Sequence, residues 1–136
     1  MKYTNCIFCG KELTREQRKR NKFCSLDCST KYKKESLLNN WLKTGKLNYK
    51  CNTMIKVNSV YRHYIENEQN NKCAICGISN NWNNKSLIFI LDHIDGDSSN
   101  HSRSNLRLIC PNCDSQLETY KSKNKKSSRN YRTSQK

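Results

Sequence analysis

The sequence predicts a small α+β protein in two modules, neither of which has enough apolar residues to hold itself together unaided. Three observations carry that expectation. Only 34% of the 136 residues are apolar, against about 45–50% in an ordinary globular domain, so a core built from them alone is thin. Nine cysteines are present, eight of them in two similarly spaced sets. The apolar runs are short: the longest, Leu87–Leu91, has five residues, far below the roughly 20 that cross a bilayer. No apolar stretch follows Met1 and Lys2, so neither a membrane helix nor a signal peptide is expected, and the cytoplasm is the expected location.

Cys6-Ile7-Phe8-Cys9-Gly10 and Cys73-Ala74-Ile75-Cys76-Gly77 are one device used twice. Two thiolates sit on a tight turn, followed by a glycine that can take the positive φ the turn needs. Each pair has a partner downstream, Cys24 with Cys28 after a gap of 14 residues and Cys110 with Cys113 after a gap of 33. In a reducing compartment clustered thiols bind metal rather than each other. Two structural Zn²⁺ ions follow, one on Cys6, Cys9, Cys24 and Cys28 and one on Cys73, Cys76, Cys110 and Cys113. Four thiolates leave no open coordination position for water, so neither zinc is expected to be catalytic. Cys51 is left unassigned. Each site carries about −2, which brings the formal charge from +15 to about +11.

The first module is expected over residues 1–50, a four-cysteine finger followed by a helix. Tyr32, Leu37, Leu38, Trp41 and Leu42 give Ser29–Lys43 one apolar face, and Gly45 is a natural stop. The Phe23-Cys24-Ser25-x-x-Cys28 pattern resembles treble-clef zinc fingers. Residues 51–72 form a connecting helix over Val60–Gln69, capped by Ser59, with Val60, Tyr61, Tyr64 and Ile65 on one side and His63 turned away. The second module spans 73–121. Leu87–Leu91 is too short for a helix and predicts a buried strand; Leu106-Arg107-Leu108-Ile109 predicts a second. A last helix is expected from Pro111, suited to a first-turn position, to about Tyr120, with Leu117 inward. Residues 122–136 form a basic tail expected to be disordered until it meets a polyanion.

Charge is unevenly placed. Residues 1–50 hold 13 basic and 4 acidic side chains, residues 51–120 hold 6 and 7, and residues 121–136 hold 7 and none. Basic flanks without an apolar anchor favour nucleic acid over a membrane surface, although a genome biased towards Lys and Asn would produce some of the same excess. Arg15, Arg18, Lys19, Arg20 and Lys22 between the first knuckles, Arg103 and Arg107 in the second module, and Lys121, Lys123, Lys125 and Lys126 at the end are the candidate DNA contacts. A solvated basic loop is the alternative for the first group, and plain surface charge for the two arginines.

Acid is concentrated as well. Three of only five aspartates lie in Leu91-Asp92-His93-Ile94-Asp95-Gly96-Asp97, and Asp114 directly follows the last cysteine. Carboxylates suit a hard cation such as Mg²⁺, and a neighbouring histidine supplies a base that is neutral near pH 7. Asp95 and Asp97 fit local turn bonds better than metal, and His101, in a polar loop, is a weaker candidate for an acid or phosphate contact. This stretch, with Asn100 and then Asn105-Leu106-Arg107-Leu108-Ile109-Cys110-Pro111-Asn112-Cys113-Asp114-Ser115-Gln116, resembles the HNH endonucleases, the ββα-metal fold, in the zinc-stapled form of phage and mobile elements. The resemblance covers residues 73–121. It implies a phosphodiester hydrolase acting on double-stranded DNA, with Asp92 and Asp114 holding a catalytic Mg²⁺ or Mn²⁺, His93 as general base and Asn105 fixing the loop between the strands. Asp114 stands where the family most often has His, which makes the motif effectively H-N-D. One such site in a monomer would nick rather than cut both strands, unless the protein dimerises, and a phage-encoded protein would work in the host cytoplasm. A zinc-stabilised nucleic-acid-binding protein with a vestigial site is the alternative. A thiol redox role fits poorly, since the cysteine pairs lack a thioredoxin-like context.

Overall fold

The computed structural model describes residues 3–17, 21–47 and 54–121, with the backbone alone over 54–59. Among the candidates named above, Arg18, Lys19, Arg20, Cys51, Lys123, Lys125, Lys126 and the 122–136 tail lie outside the described residues. The described part is a small α+β structure in two compact units, Met1–Asn40 and Trp41–Lys136. Among the described residues no helix is long and apolar enough to cross a membrane.

The first unit is built around its thiols. Cys6, Leu13 and Cys28 are its buried residues, with Tyr3, Phe8, Phe23 and Cys24 packed on them. The knuckle closes as Asn5 pairs antiparallel with Glu12 and the Gly10 N–H bonds the Cys6 carbonyl at 2.9 Å. Gly10 has φ +75 and its counterpart Gly77 has φ +73, the left-handed backbone that the turn after each cysteine pair requires. Helix α1 runs Leu26–Thr44, three residues earlier than the apolar pattern predicts. The Ser25 hydroxyl accepts the Cys28 N–H at 3.2 Å and so caps the helix ahead of its apolar stripe.

In the second unit, helix α2 spans Met54–Glu68. The predicted cap, Ser59, is therefore an interior residue: the helical pattern extends a turn and a half further back than the reading from Ser59 allowed. Trp41, Tyr61 and Ile65 are buried, with the Trp41 ring 4.8 Å from Tyr61 and edge-on to Tyr64 at 5.9 Å. A small hairpin, β1 (Asn81–Trp82) with β2 (Lys85–Ser86), turns on Asn83 and Asn84, both at positive φ. Asparagine tolerates that conformation, which is what a two-residue hairpin turn demands.

The central hairpin is β3 (Ile90–His93) with β4 (Leu106–Ile109), antiparallel, with Asp92 opposite Arg107 and His93 opposite Leu106. β4 falls where predicted. β3 starts three residues later than Leu87, because the preceding backbone bonds elsewhere: the Leu87 N–H reaches Asn80, the Phe89 carbonyl takes the Arg62 guanidinium, and Ile88 is exposed. Gln69 ties the end of α2 to the hairpin, its amide donating to the Leu108 carbonyl at 2.8 Å and accepting the Leu108 N–H at 2.9 Å. Leu106, Leu108 and Ile109 are buried with Phe89. Helix α3 is only Pro111–Ser115, not Pro111 to Tyr120. Ser115 Oγ and Gln116 Nε2 both donate to the Asn112 carbonyl, at 2.8 and 3.2 Å, occupying the acceptor that would continue the helix.

Candidate functional site

The two cysteine sets converge. In each, the four Sγ atoms lie within 4.8 Å of one another, and the closest contacts are 3.6 Å for Cys9–Cys24, 3.5 Å for Cys24–Cys28 and 3.7 Å for Cys76–Cys110. A disulfide would need about 2.05 Å, whereas a Zn–S bond of about 2.3 Å sets the sulfurs of a tetrahedron about 3.8 Å apart. The spacing is that of zinc ligands. Proton affinities agree. Burial pushes the Cys6 thiol up, but backbone donors at Cys9, Cys24 and Phe8 bring it down to about 6. Cys24, held by the Cys28 and Cys9 sulfurs, rises to about 12. Burial likewise opposes ionisation of Cys73, yet backbone donors at Cys76, Cys110 and Ile75 bring it to about 6, while burial and the Cys110 sulfur push Cys113 to about 12.

The second cluster also places acid. Cys110 directly follows β4, caps α3 and accepts the Cys113 N–H at 3.4 Å, while its own N–H donates to Cys73 Sγ at 3.3 Å. Asp114 follows at once, its N–H bonded to the Cys110 carbonyl at 3.0 Å. Burial raises its carboxyl affinity for a proton, and the charge of Asp92 raises it further. Asp92 is buried, with 9% of its surface exposed. Its Oδ2 accepts Arg107 Nε from across the hairpin at 2.7 Å. Asp92 and Asp114 are the carboxylates that could hold a divalent cation of the Mg²⁺ kind, which needs only one or two carboxylates plus water or phosphate oxygens. Among the described residues the two cysteine clusters are the only groups of three or more His, Cys, Asp or Glu side chains whose ligand atoms converge. Successive strand residues face opposite sides, and His93, next to Asp92 on β3, turns elsewhere.

It turns to His101. His93 Nε2 and His101 Nδ1 are 3.2 Å apart, and the rings meet at 5.2 Å between centroids. Burial lowers the proton affinity of His101, and the charge of His93 lowers it further. The loop between them is closed on itself. Asn105, 8% exposed, accepts the Asp95 N–H at 3.0 Å and donates to Asp95 Oδ1 and to the Asn100 carbonyl, both at 2.8 Å. Asp95, bonded first by the Asn100 amide, then by the Asp97 N–H and Asn105, is held down to about 2. Asp97 takes the Ser99 hydroxyl and N–H. Both aspartates use these oxygens on the loop. Beyond it, Trp41 Nε1 donates to the His101 carbonyl at 2.6 Å. Gly45, at φ +64, lies so close that a Cβ there would meet the Ser102 Cα at 3.3 Å.

The basic candidates are placed differently from one another. Arg107 is paired with Asp92, and Arg103 with Glu68 and the Leu106 carbonyl, so both guanidiniums have protein partners. Arg15 is exposed, Lys22 lies 5.6 Å from the Tyr3 ring centre and Lys121 4.8 Å from that of Tyr120. The contact that sequence reasoning did not foresee is that of His101 with His93. Its signal was available only as one of three histidines, eight positions after His93 in a loop whose closure by Asn105 the sequence does not state.

Over 53 residues the chain is 40% identical to the H-N-H endonuclease F-TflIV of Escherichia phage T5; the match covers 39% of this chain and 23% of that protein. The chain thus spans less than a quarter of the relative's length. No family model and no solved structure matches it.

Proposed function

We propose that this chain is a metal-dependent DNA endonuclease of the zinc-stapled HNH kind, hydrolysing a phosphodiester bond one strand at a time. The observation that carries the reading is the buried Asp92 on β3, next to His93, with Asp114 on α3 near enough that the charge of Asp92 raises its proton affinity. The partial similarity to a phage endonuclease supports it. Asp92 and Asp114 would hold Mg²⁺ or Mn²⁺, which supplies charge stabilisation at the phosphoryl and leaving oxygens when bound. His93 takes a proton from the attacking water. A base need not touch the ion, since water attacks in line from the side of phosphorus opposite the leaving oxygen. Asn105 holds the loop that follows His93, and Arg107 orients the Asp92 carboxylate from one side, leaving the other oxygen to the ion. Double-stranded DNA is the substrate we assign, recognised along its backbone by the basic flanks, with the protein acting as a monomer in the cytoplasm, that of the host if it is phage-encoded.

The test is nicking of supercoiled plasmid by the zinc-loaded chain with Mg²⁺ or Mn²⁺, beside His93→Ala. Nicking should fall by about 10²–10⁴-fold in the variant, the range for general-base catalysis, while gel-shift binding persists. One observation favours a second reading: Arg107 already neutralises Asp92. DNA binding without cleavage by the wild type would make the chain a zinc-stabilised nucleic-acid-binding protein and refute the hydrolase.

A further inference from the structure

We infer that His101 is a positioning residue for His93: its Nδ1 accepts the Nε2 proton of His93 and so leaves the Nδ1 lone pair of His93 as the base. This rests on the nuclease reading for its consequence, but the pairing itself stands on geometry alone.

A neutral imidazole has one N–H and one lone pair. The two rings approach through His93 Nε2 and His101 Nδ1 at 3.2 Å, and one of those nitrogens must carry the proton for this to be a hydrogen bond. If His101 donated, the Nε2 lone pair of His93 would be consumed and its Nδ1 would carry hydrogen, so that no nitrogen of His93 could accept a proton from water. With His101 accepting, His93 keeps a lone pair at Nδ1, and the imidazolium formed there is stabilised by a hydrogen bond at Nε2. The base that orients a catalytic histidine is ordinarily a carboxylate or carbonyl; here a second imidazole takes that place. Burial favours the neutral form of His101, as an acceptor requires.

The surroundings hold His101 for this task. Its carbonyl is fixed by Trp41 Nε1 at 2.6 Å, a buried ring at the end of α1. On the side before it, Asn100 bonds Asp95 Oδ2 at 2.7 Å and receives the Asn105 amide on its carbonyl. On the side after it, the Ser102 hydroxyl bonds Asn100 Oδ1 at 2.9 Å, and Ser102 lies so close to Gly45 that a Cβ there would meet its Cα and Cβ at 3.3 Å. A histidine with no partner to orient would not need a braced backbone on both sides.

The chain has three histidines, and His63 is exposed, so nitrogen-15 NMR of the zinc-loaded protein at pH 8 resolves each ring with His63 as reference. His93 should be the Nε2–H tautomer in the wild type and a mixture of tautomers in His101→Phe. In single-turnover plasmid nicking, His101→Phe should lower the rate tenfold to a hundredfold with the DNA concentration for half-maximal rate unchanged. His101→Gln, whose side-chain carbonyl can accept, should recover most of that loss. A His93 ring protonated on Nδ1 in the wild type, an identical tautomer in His101→Phe, or equal rates in the Phe and Gln variants would each overturn the assignment. So would ring contacts that form only with a third equivalent of Zn²⁺, since two imidazoles this close also fit one shared ion. The NMR reading needs no cleavage, so an inactive wild type would refute the nuclease and leave the pairing to stand or fall on its own spectrum.

Discussion

Replacing Asn105 by alanine tests the brace under the candidate site. The amide makes three hydrogen bonds within the 95–105 segment, at 3.0, 2.8 and 2.8 Å, one of them to the Asp95 carboxylate. A neutral intramolecular bond contributes about 0.5–1.5 kcal/mol net and one to a charged group about 1.5–3. The three together come to about 4 kcal/mol, and water reaching the exposed Asp95 recovers part of it, leaving a loss of about 2–3 kcal/mol. At 4–8 °C per kcal/mol for a unit of this size, the melting temperature should fall by roughly 10–20 °C. Calorimetry of the zinc-loaded protein at neutral pH reads this directly. Asn105→Asp should do no better, since it keeps the acceptor for the Asp95 N–H but sets a second carboxylate against Asp95. A drop of only a degree or two in Asn105→Ala would show that the loop holds its shape without the amide, and the account of how His93 and His101 are kept in register would fail with it.

Asp114→Asn carries a prediction of opposite sign. Its folded carboxyl binds a proton more readily than when unfolded, through burial and then the charge of Asp92, so its contribution is fully favourable only below the unfolded value near 3.8 and is lost as pH rises through the folded one. At neutral pH the charge is a cost, and removing it should raise the melting temperature of protein without added Mg²⁺ while abolishing the further rise that Mg²⁺ gives the wild type; a variant that still responds to Mg²⁺ would take Asp114 out of the metal site. Stripping zinc should unfold both modules, because Cys6, Cys28, Cys73, Cys110 and Cys113 are themselves buried core and structural zinc contributes roughly 10 kcal/mol or more per site. Circular dichroism before and after chelation checks this, and an unchanged melt would refute structural zinc in both clusters.

Much was legible in the residues alone. The two four-cysteine clusters follow from spacing, because a Cys-x-x-Cys turn is a local structure that brings its own pair of sulfurs together wherever it stands. The β4 strand and the start of α3 at Pro111 are local too, set by alternation and by a residue whose fixed φ suits a first turn. The early start of α2 lies in the helical pattern itself, ahead of Ser59, but other departures came where a distant or side-chain partner overrode the local pattern. Ile88 belongs to an apolar run yet is exposed, since the backbone there bonds to Asn80 and Arg62 instead of to a strand. Helix α3 stops where Ser115 and Gln116 take the Asn112 carbonyl.

The candidate site divides along the same line. Sequence marks Asp92, His93, Asn105 and Asp114 as chemically loaded, because residue type and order are enough to say what each can bind. Which of them meet is a matter of strand direction and loop closure. β3 sends Asp92 to Arg107 and His93 to His101 because neighbours on a strand face apart, and only the folded hairpin, with Asn105 drawing in the residues between its strands, brings position 101 back against position 93.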